Sequence, residues 1–404
     1  MTAWLTIIGV GDDGLAGLSA AALARVQAAS AAFGSRRLLK KAQFPNAELC
    51  FWEDGYEATL AALMARRGVP TLLLATGDPM HFGIGATLTS QLAADEFECF
   101  PAPSSFSLAA SRLRWPLQET ACISLHGRSV DQLARHLAPR ARILALTSSG
   151  KTIAEAAAVL ERCGYGRSNM TVLEHLGGAR ERVVSVTPHG AAALSFADLN
   201  ILAIGCEAFP DGPFMGSGAG LPDSAFEHDG QLTKREVRAA TLAALQPYPG
   251  ALLWDIGAGC GSVSIEWMRA ARGASALAVE DMPMRRAMIE ANARRLGVPE
   301  LMLVKGRAPA AMKGLETPDA VFVGGGITRP GVFDTAFAAL RTGGLLVANS
   351  VTVEGEAKLL ALAPLHGGTL SRISVSRAEP VGGFLAFKPM MQVTQLIIRK
   401  KALK

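Results

Sequence analysis

Leu252-Leu253-Trp254-Asp255-Ile256-Gly257-Ala258-Gly259-Cys260-Gly261-Ser262 is the stretch that decides the fold. An apolar run carrying one acid, followed by three glycines and a helical pattern from Val263, reads as a buried strand, a tight loop and a helix N-terminus. Glycines let a backbone come close to a ligand, and the helix start offers free N–H donors. The spacing is G-x-G-x-G, one residue tighter than the G-x-G-x-x-G of a dinucleotide fingerprint. The next apolar run, Ala276-Leu277-Ala278-Val279-Glu280, ends in a carboxylate 19 residues past Gly261. An acid near that distance accepts ribose hydroxyl protons. Asp281 follows directly, so the ribose role is open between the two acids.

Working outward, strands are expected at 251–256, 276–280, 301–304, 320–323 and 345–348. Helices are expected at 233–245, 263–271, 284–296, 332–341 and 354–363, and late strands at 373–375 and 393–398 close the sheet. Thr233 followed by Glu236 predicts a capping box at the head of the first helix. Five β-then-α units make this half a doubly wound α/β domain. The first 205 residues also alternate, with strands expected at 4–9, 71–75, 121–125, 142–147 and 199–204 and helices at 19–29, 59–67 and 152–162. That pattern predicts α/β architecture with largely parallel sheets. Between the halves, 206–230 has no periodicity and is crowded with Gly and Pro, which predicts a linker. The domains are therefore expected at 1–205 and 231–404.

Composition narrows the function. The chain has 404 residues, half of them hydrophobic and 19% charged, which excludes wholesale disorder. The formal net charge of +5 fits ordinary solubility or an anionic partner. There is no run of five or more Lys/Arg and aromatics are sparse, so nucleic acid is not expected as a partner. The six cysteines are widely scattered and form no C-x-x-C pair, which predicts free thiols and no metal site. No uncharged apolar stretch reaches about 18 residues, so no membrane span is expected and the cytoplasm is the expected location.

In the N-terminal half, Gly9-Val10-Gly11-Asp12-Asp13-Gly14 matches a dinucleotide loop literally, but Gly14 does not open the following helix and the next strand ends in Gly34-Ser35-Arg36-Arg37 without an acid. An NAD reading fails; an NADP reading through Arg36 stays open. Further on come Thr76-Gly77-Asp78-Pro79 and Pro101-Ala102-Pro103-Ser104-Ser105. Together these motifs resemble the tetrapyrrole methylase family, the class III S-adenosylmethionine (SAM) methyltransferases, whose fold has two α/β lobes. The C-terminal loop resembles motif I of the class I, Rossmann-like SAM methyltransferases. The tip of its fourth strand, Asp319 to Thr328, lacks the Pro-Pro-Tyr of amino-group methylases, so a carbon acceptor is expected.

The fusion of the two resembles the decarboxylating C5,15-methyltransferases of aerobic cobalamin biosynthesis, a resemblance also carried by Ser124-Leu125-His126-Gly127-Arg128 and Arg377-Ala378-Glu379-Pro380-Val381-Gly382-Gly383. It implies a soluble bifunctional enzyme that uses one SAM per domain. By the same resemblance, the C-terminal domain is expected to decarboxylate the ring C acetate of precorrin-6B and methylate C15, and the N-terminal domain to methylate C5, giving precorrin-8. Relatives often form homo-oligomers. The resemblance implies cofactor contacts at Gly9, Gly11, Gly77, Asp78, Pro79, Ser104 and Ser105 in the first half. In the second half it implies them at Thr233, Asp255, Gly257, Ala258, Gly259, Cys260, Gly261, Glu280, Gly306 and Ala308. His126 and Arg128 are the substrate candidates. Asn349 and Glu354, beyond the fifth strand, are the catalytic candidates, with helix capping the competing role for Glu354. His175 beside Glu174 reads as a surface pair, and Met390-Met391 as core filling. Two other readings stay open: an RNA methyltransferase, and a noncatalytic SAM-binding scaffold.

Overall fold

Alternation of apolar and small residues along Leu5–Val10, which is buried on both faces, sets the first strand at the centre of a parallel sheet. In the computed structural model, which describes residues 3–42, 44, 47–210, 215, 216 and 218–402, the strands are β1 Leu5–Val10, β2 Ala31–Gly34, β3 Glu48–Phe51, β4 Thr71–Thr76 and β5 Phe97–Phe100. They are followed by β6 Thr120–Ser124, β7 Arg142–Leu146, β8 Asn169–Glu174, β9 Arg182–Val186 and β10 Asn200–Gly205. The later ones are β11 Leu252–Ile256, β12 Ser275–Glu280, β13 Met302–Lys305, β14 Ala320–Val323 and β15 Leu345–Ser350, then β16 Thr369–Ile373, β17 Ser376–Val381, β18 Phe384–Pro389 and β19 Val393–Arg399.

The described residues fall into two compact units. One runs up to Val130 and from Ala138 to Pro210; the other holds Asp131–Leu137 and everything from Met215 on. In the first unit, β3-β2-β4-β1-β5 form a wholly parallel sheet covered on both faces by apolar side chains. Its second sheet, β6-β7-β10-β8-β9, departs from the expectation of parallel strands: only the β6–β7 pair is parallel. The reason is connectivity. β8 and β9 are joined through 175–181, too short for a crossover helix, so they pair antiparallel.

In the second unit the sheet order is β13-β12-β11-β14-β15-β19-β16, parallel through β15 and antiparallel at β19 and β16. Side chains alternate along β11: Leu252, Trp254 and Ile256 enter one apolar layer and Leu253 the other. Asp255 shares Leu253's face, under the helix Ser262–Ala270. β17 and β18 form a separate hairpin that the sequence reading did not contain.

The stretch read as a linker is only partly loop. Leu221, Ala225 and Phe226 are buried in the second unit's core. The fully buried Arg238 donates Nε to Glu266 Oε1 at 2.6 Å, and the same Glu266 carboxylate accepts the amides of Gly220 at 2.6 Å and Leu221 at 3.0 Å. A buried charge must be paired and fully hydrogen-bonded, so this network fastens 220–226 to the unit. Residues 211–214 and 217 of the expected linker lie outside the described residues. The capping box at Thr233 is not formed. The helix is Arg235–Leu245 with Lys234 at its N-cap, and Asp223 Oδ1 accepts the Arg235 amide at 2.9 Å instead. With Lys234 as N-cap, Glu236 falls at the second helical position rather than the third, and its carboxylate pairs with Arg377, so the box spacing is lost.

Candidate functional site

Strand β11 delivers the glycine loop to the carboxyl edge of the second unit's sheet, where α/β folds bind ligands. Gly257 and Gly259 both have left-handed φ, +70° and +61°. A Cβ on Gly257 would lie 3.1 Å from the backbone of Gly325, so the loops after β11 and β14 pack main chain on main chain. A Cβ on Gly259 would meet no protein atom nearer than 3.5 Å; its bareness leaves room on the open side of the loop. That side is a cavity of about 730 Å³, within the range of small-molecule sites.

Glu280 stands at the tip of β12, buried, with both carboxylate oxygens engaged: Oε2 accepts the Gly259 amide at 2.9 Å and Oε1 the Met282 amide at 3.0 Å. It therefore clamps the glycine loop and still faces the cavity. Asp281 lies on the same wall but its side chain is 44% exposed and leans toward Arg307 at 3.7 Å. Beneath the loop, Asp255 is almost wholly buried. Its Oδ2 accepts the Ser264 amide at 3.1 Å and hydroxyl at 2.6 Å, while Oδ1 has no partner. Burial pushes this carboxyl up to about 6, the Ser264 hydrogen bonds pull against it, and the Glu280 charge adds to the rise. A bare glycine cradle, a clamped ribose-type acid and an orphaned carboxylate oxygen under the loop fit a ligand with hydroxyls and a cationic end, which SAM is.

Of the residues singled out in this half, Thr233, Gly257, Ala258, Gly259, Cys260, Glu280, Gly306, Ala308 and Asn349 line the cavity. Asp255 and Gly261 sit behind it. Glu354 is exposed in the first turn of the helix Val353–His366 and is not on the wall, so its place is that of an acid at a helix N-terminus. Asn349 is not a free reagent: its Nδ2 donates to Thr241 Oγ1 at 2.8 Å and its Oδ1 accepts from Gln395 Nε2 at 3.0 Å. The wall also holds cations that sequence reasoning missed, Lys234, Arg285, Arg307 and Arg329. Arg285 is spent on Asp229 at 2.8 Å and Arg329 donates to the Ala308 carbonyl at 3.1 Å, while the Arg307 side chain is 68% exposed. No spacing rule would have gathered these four, because they come from separate segments: a helix N-cap, the helix Pro283–Arg295 and the turns after β13 and β14. Met390 and Met391 also line the cavity; Met391 is 74% exposed, so the core-filling expectation is corrected.

In the first unit, β1 and β4 end beside each other. A Cβ on Gly9 would fall 2.2 Å from the Gly77 carbonyl oxygen, so Gly9 serves the packing of the two turns. Gly11, Gly77 and Ser105 line a small cavity of about 40 Å³. Asp78 Oδ1 accepts the Met80 amide at 2.9 Å, fixing its own turn, and Pro79 is buried beside it. Ser104 caps the helix Ser105–Leu113 through the Ser107 amide at 3.2 Å. His126 and Arg128 are exposed and absent from the cavity wall; His126 Nδ1 lies 3.3 Å from the Thr147 carbonyl. His175 is no surface pair: its side chain is 14% exposed and faces the same small cavity as Gly77 and Ser105.

Two family models match, tetrapyrrole (corrin/porphyrin) methylases over residues 4–191 and a precorrin methyltransferase domain over 224–400. A precorrin-6Y C(5,15)-methyltransferase (decarboxylating) of Sinorhizobium sp is 47% identical over 393 residues, covering 97% of this chain and 95% of its own. One from Mycobacterium tuberculosis (strain CDC 1551) is 35% identical over 401 residues, covering 98% of this chain and 100% of its own. The crystal structure of the C-terminal domain of the Rhodobacter capsulatus precorrin-6Y C5,15-methyltransferase matches with a TM-score of 0.44 at 43% identity, over 46% of this chain and 100% of that one. With such identity along nearly its whole length, the chain belongs to the precorrin-6Y C(5,15)-methyltransferase (decarboxylating) family.

Proposed function

We propose that this chain is a bifunctional SAM-dependent methyltransferase of cobalamin biosynthesis. It methylates precorrin-6B, the precorrin-6Y of its relatives' names, at C5 and C15 and removes the ring C acetate carboxyl as CO2. Each unit takes one SAM. The second unit carries decarboxylation and C15 methylation, the first unit C5 methylation. The observation that carries the reading is the second unit's cavity, lined by a glycine cradle, Glu280 and four cations.

Bound in that cradle, SAM supplies an already activated methyl group. The chain's part is placement. Glu280 holds the loop by the Gly259 amide and offers its remaining lone pairs to ribose hydroxyls. The apolar part of the lining, which includes Val375, Ile327 and Met391, suits the faces of the macrocycle. Arg307, the most exposed of the four cations, reaches substrate carboxylates bidentately. Asn349, held by Thr241 and Gln395, acts as a rigid wall rather than a proton carrier. A carboxylate placed away from these cations loses CO2 more readily, because its charge is not stabilised in the ground state. The electron pair of the broken C–C bond enters the conjugated macrocycle, and alignment then carries much of the methyl-transfer rate.

The test is anaerobic incubation of the full chain with precorrin-6B and SAM, read by mass spectrometry. A product with two added methyls and one CO2 lost is expected. Recovery of unchanged substrate from folded, SAM-binding protein refutes the reading.

A further inference from the structure

Every second residue of 225–229 is held by the helix Pro283–Arg295. Arg295 donates to the Ala225 carbonyl. Asn292 takes both main-chain groups of Glu227: the Glu227 amide donates to Oδ1 at 2.8 Å and the Glu227 carbonyl accepts from Nδ2 at 2.9 Å. Arg285 Nε pairs with Asp229 Oδ2 at 2.8 Å. Residues 285 and 292 are two helical turns apart and so share a face, with 295 one turn further on. The ten helical residues rise about 15 Å, and four chain steps reach about 14 Å at most. The two segments therefore run antiparallel in register, with the length of the arginines making up the difference.

The middle partner differs from the other two. Asn292 is fully buried, and its Nδ2 also donates to the Cys260 carbonyl of the glycine loop at 3.0 Å, while Oδ1 also accepts from Arg295 at 3.1 Å. Both donors and both lone pairs of the amide are thus spent, and a fully satisfied buried polar group specifies one arrangement. Beyond Asp229 the chain continues as Gly230, Gln231, Leu232 and Thr233, all on the wall of the large cavity, as are Gly259 and Cys260. The Gln231 carbonyl oxygen lies 3.5 Å from where a Cβ on Gly259 would stand, so the two segments flank the same open space. Among the described residues no main-chain hydrogen bond joins 227–234 to 257–261. Asn292 bonds to both from behind, without itself lining the cavity.

We infer that Asn292 is a positioning residue for the second unit's cofactor: it sets the strap 227–234 against the glycine loop, so that the SAM end of the cavity is formed before SAM arrives. The inference rests on the reading that SAM binds at this loop. Preorganisation of this kind acts on affinity. When only a fraction of the free protein has the strap in place, the apparent Kd rises by the inverse of that fraction, and saturating ligand restores the arrangement.

The test uses the full chain in calorimetry with SAM and in hydrogen exchange read by mass spectrometry. Asn292→Ala should weaken one of two SAM binding events by about 10- to 100-fold and leave the other, the first unit's, unchanged. Exchange across 225–234 should quicken in the free variant and return toward the wild-type rate with saturating SAM. With precorrin-6B, the KM for SAM in CO2 release should rise by the same factor while kcat at saturating SAM stays within about twofold. Asp229→Asn, which is off the cavity wall and keeps the oxygen that accepts the Gln231 amide, should move affinity and exchange in the same direction by less. It carries the test if Asn292→Ala does not fold. SAM affinity within twofold of wild type in the folded variants overturns the assignment and leaves Asn292 a core residue only. A loss of affinity with exchange across 225–234 unchanged overturns it too, because the strap would not have moved. If Glu280→Ala leaves both SAM events of the wild-type chain intact, the loop is not a SAM site; that reading then fails, and this inference falls with it.

Discussion

Replacing Glu280 with alanine should remove SAM binding from the second unit for two reasons that the structure separates. The carboxylate is 4% exposed and accepts two backbone amides, Gly259 at 2.9 Å and Met282 at 3.0 Å. Hydrogen bonds to a charged group contribute about 1.5–3 kcal/mol each, and the ribose contact falls in the same range. Losing the ribose contact alone weakens binding by about 10- to 100-fold, since about 1.4 kcal/mol is tenfold. Losing the Gly259 clamp adds to this, because the amide at the tip of the loop then has no acceptor. Glu280→Gln separates the two effects: its carbonyl oxygen keeps one amide while the charge is gone, so it should fall between alanine and wild type. Isothermal calorimetry on the full chain should show one of two SAM binding events lost or weakened in this order, the other unchanged. Equal affinities in wild type, Gln and Ala would refute the role of Glu280 and direct attention to Asp281.

Asp255 gives a pH-dependent result. Its folded-state value of about 6 lies above the ordinary 3.8, so the folded protein binds more protons than the unfolded chain between those values, and stability falls as pH rises through this window. Asp255→Asn should therefore be neutral near pH 4 and more stable than wild type by on the order of 3 kcal/mol above pH 7, seen in urea melts at both pH values; a constant difference would contradict the burial argument. Removing Arg238 alone strands the buried Glu266, so Arg238→Met should cost about 3–5 kcal/mol in the second unit, and an unchanged thermal transition would show the pair to be dispensable. Limited proteolysis should cut within 207–219 and spare 220–226, which Glu266 and Arg238 fasten; early cuts at 221–226 would show that this stretch is loose after all.

The core of the second unit was legible because its signals are local. The β11 run, three glycines and an acid at the end of β12 sit in sequence order and report one backbone path. Signals that depend on distant partners were not legible. Thr233 and Glu236 have capping-box spacing, but the helix starts one residue later, with Lys234 at its N-cap, and Arg377 pairs with Glu236. His126 stood at a strand end and drew attention, yet its turn points to solvent. His175 looked like half of a pair with Glu174 because they are adjacent, whereas its positive φ turns the ring away to Asp12 from the first loop. The hairpin of β17 and β18 carries Phe384, Leu385 and Phe387 exposed at 83%, 72% and 77%, so no alternation of buried and exposed residues marks it as a strand pair.

Two separate methyl-transfer sites, with CO2 loss belonging to the second, are the centre of the proposed function. Gly259→Val tests this most directly. The valine Cβ has no protein clash nearer than 3.5 Å, but φ is +61° and the side chain projects over the open face of the loop. With precorrin-6B and SAM under anaerobic conditions, the folded variant should still bind SAM in its first unit. It should release no CO2 and form no doubly methylated product. Release of CO2 at the wild-type rate would contradict the account, because decarboxylation would then not depend on the glycine cradle of the second unit.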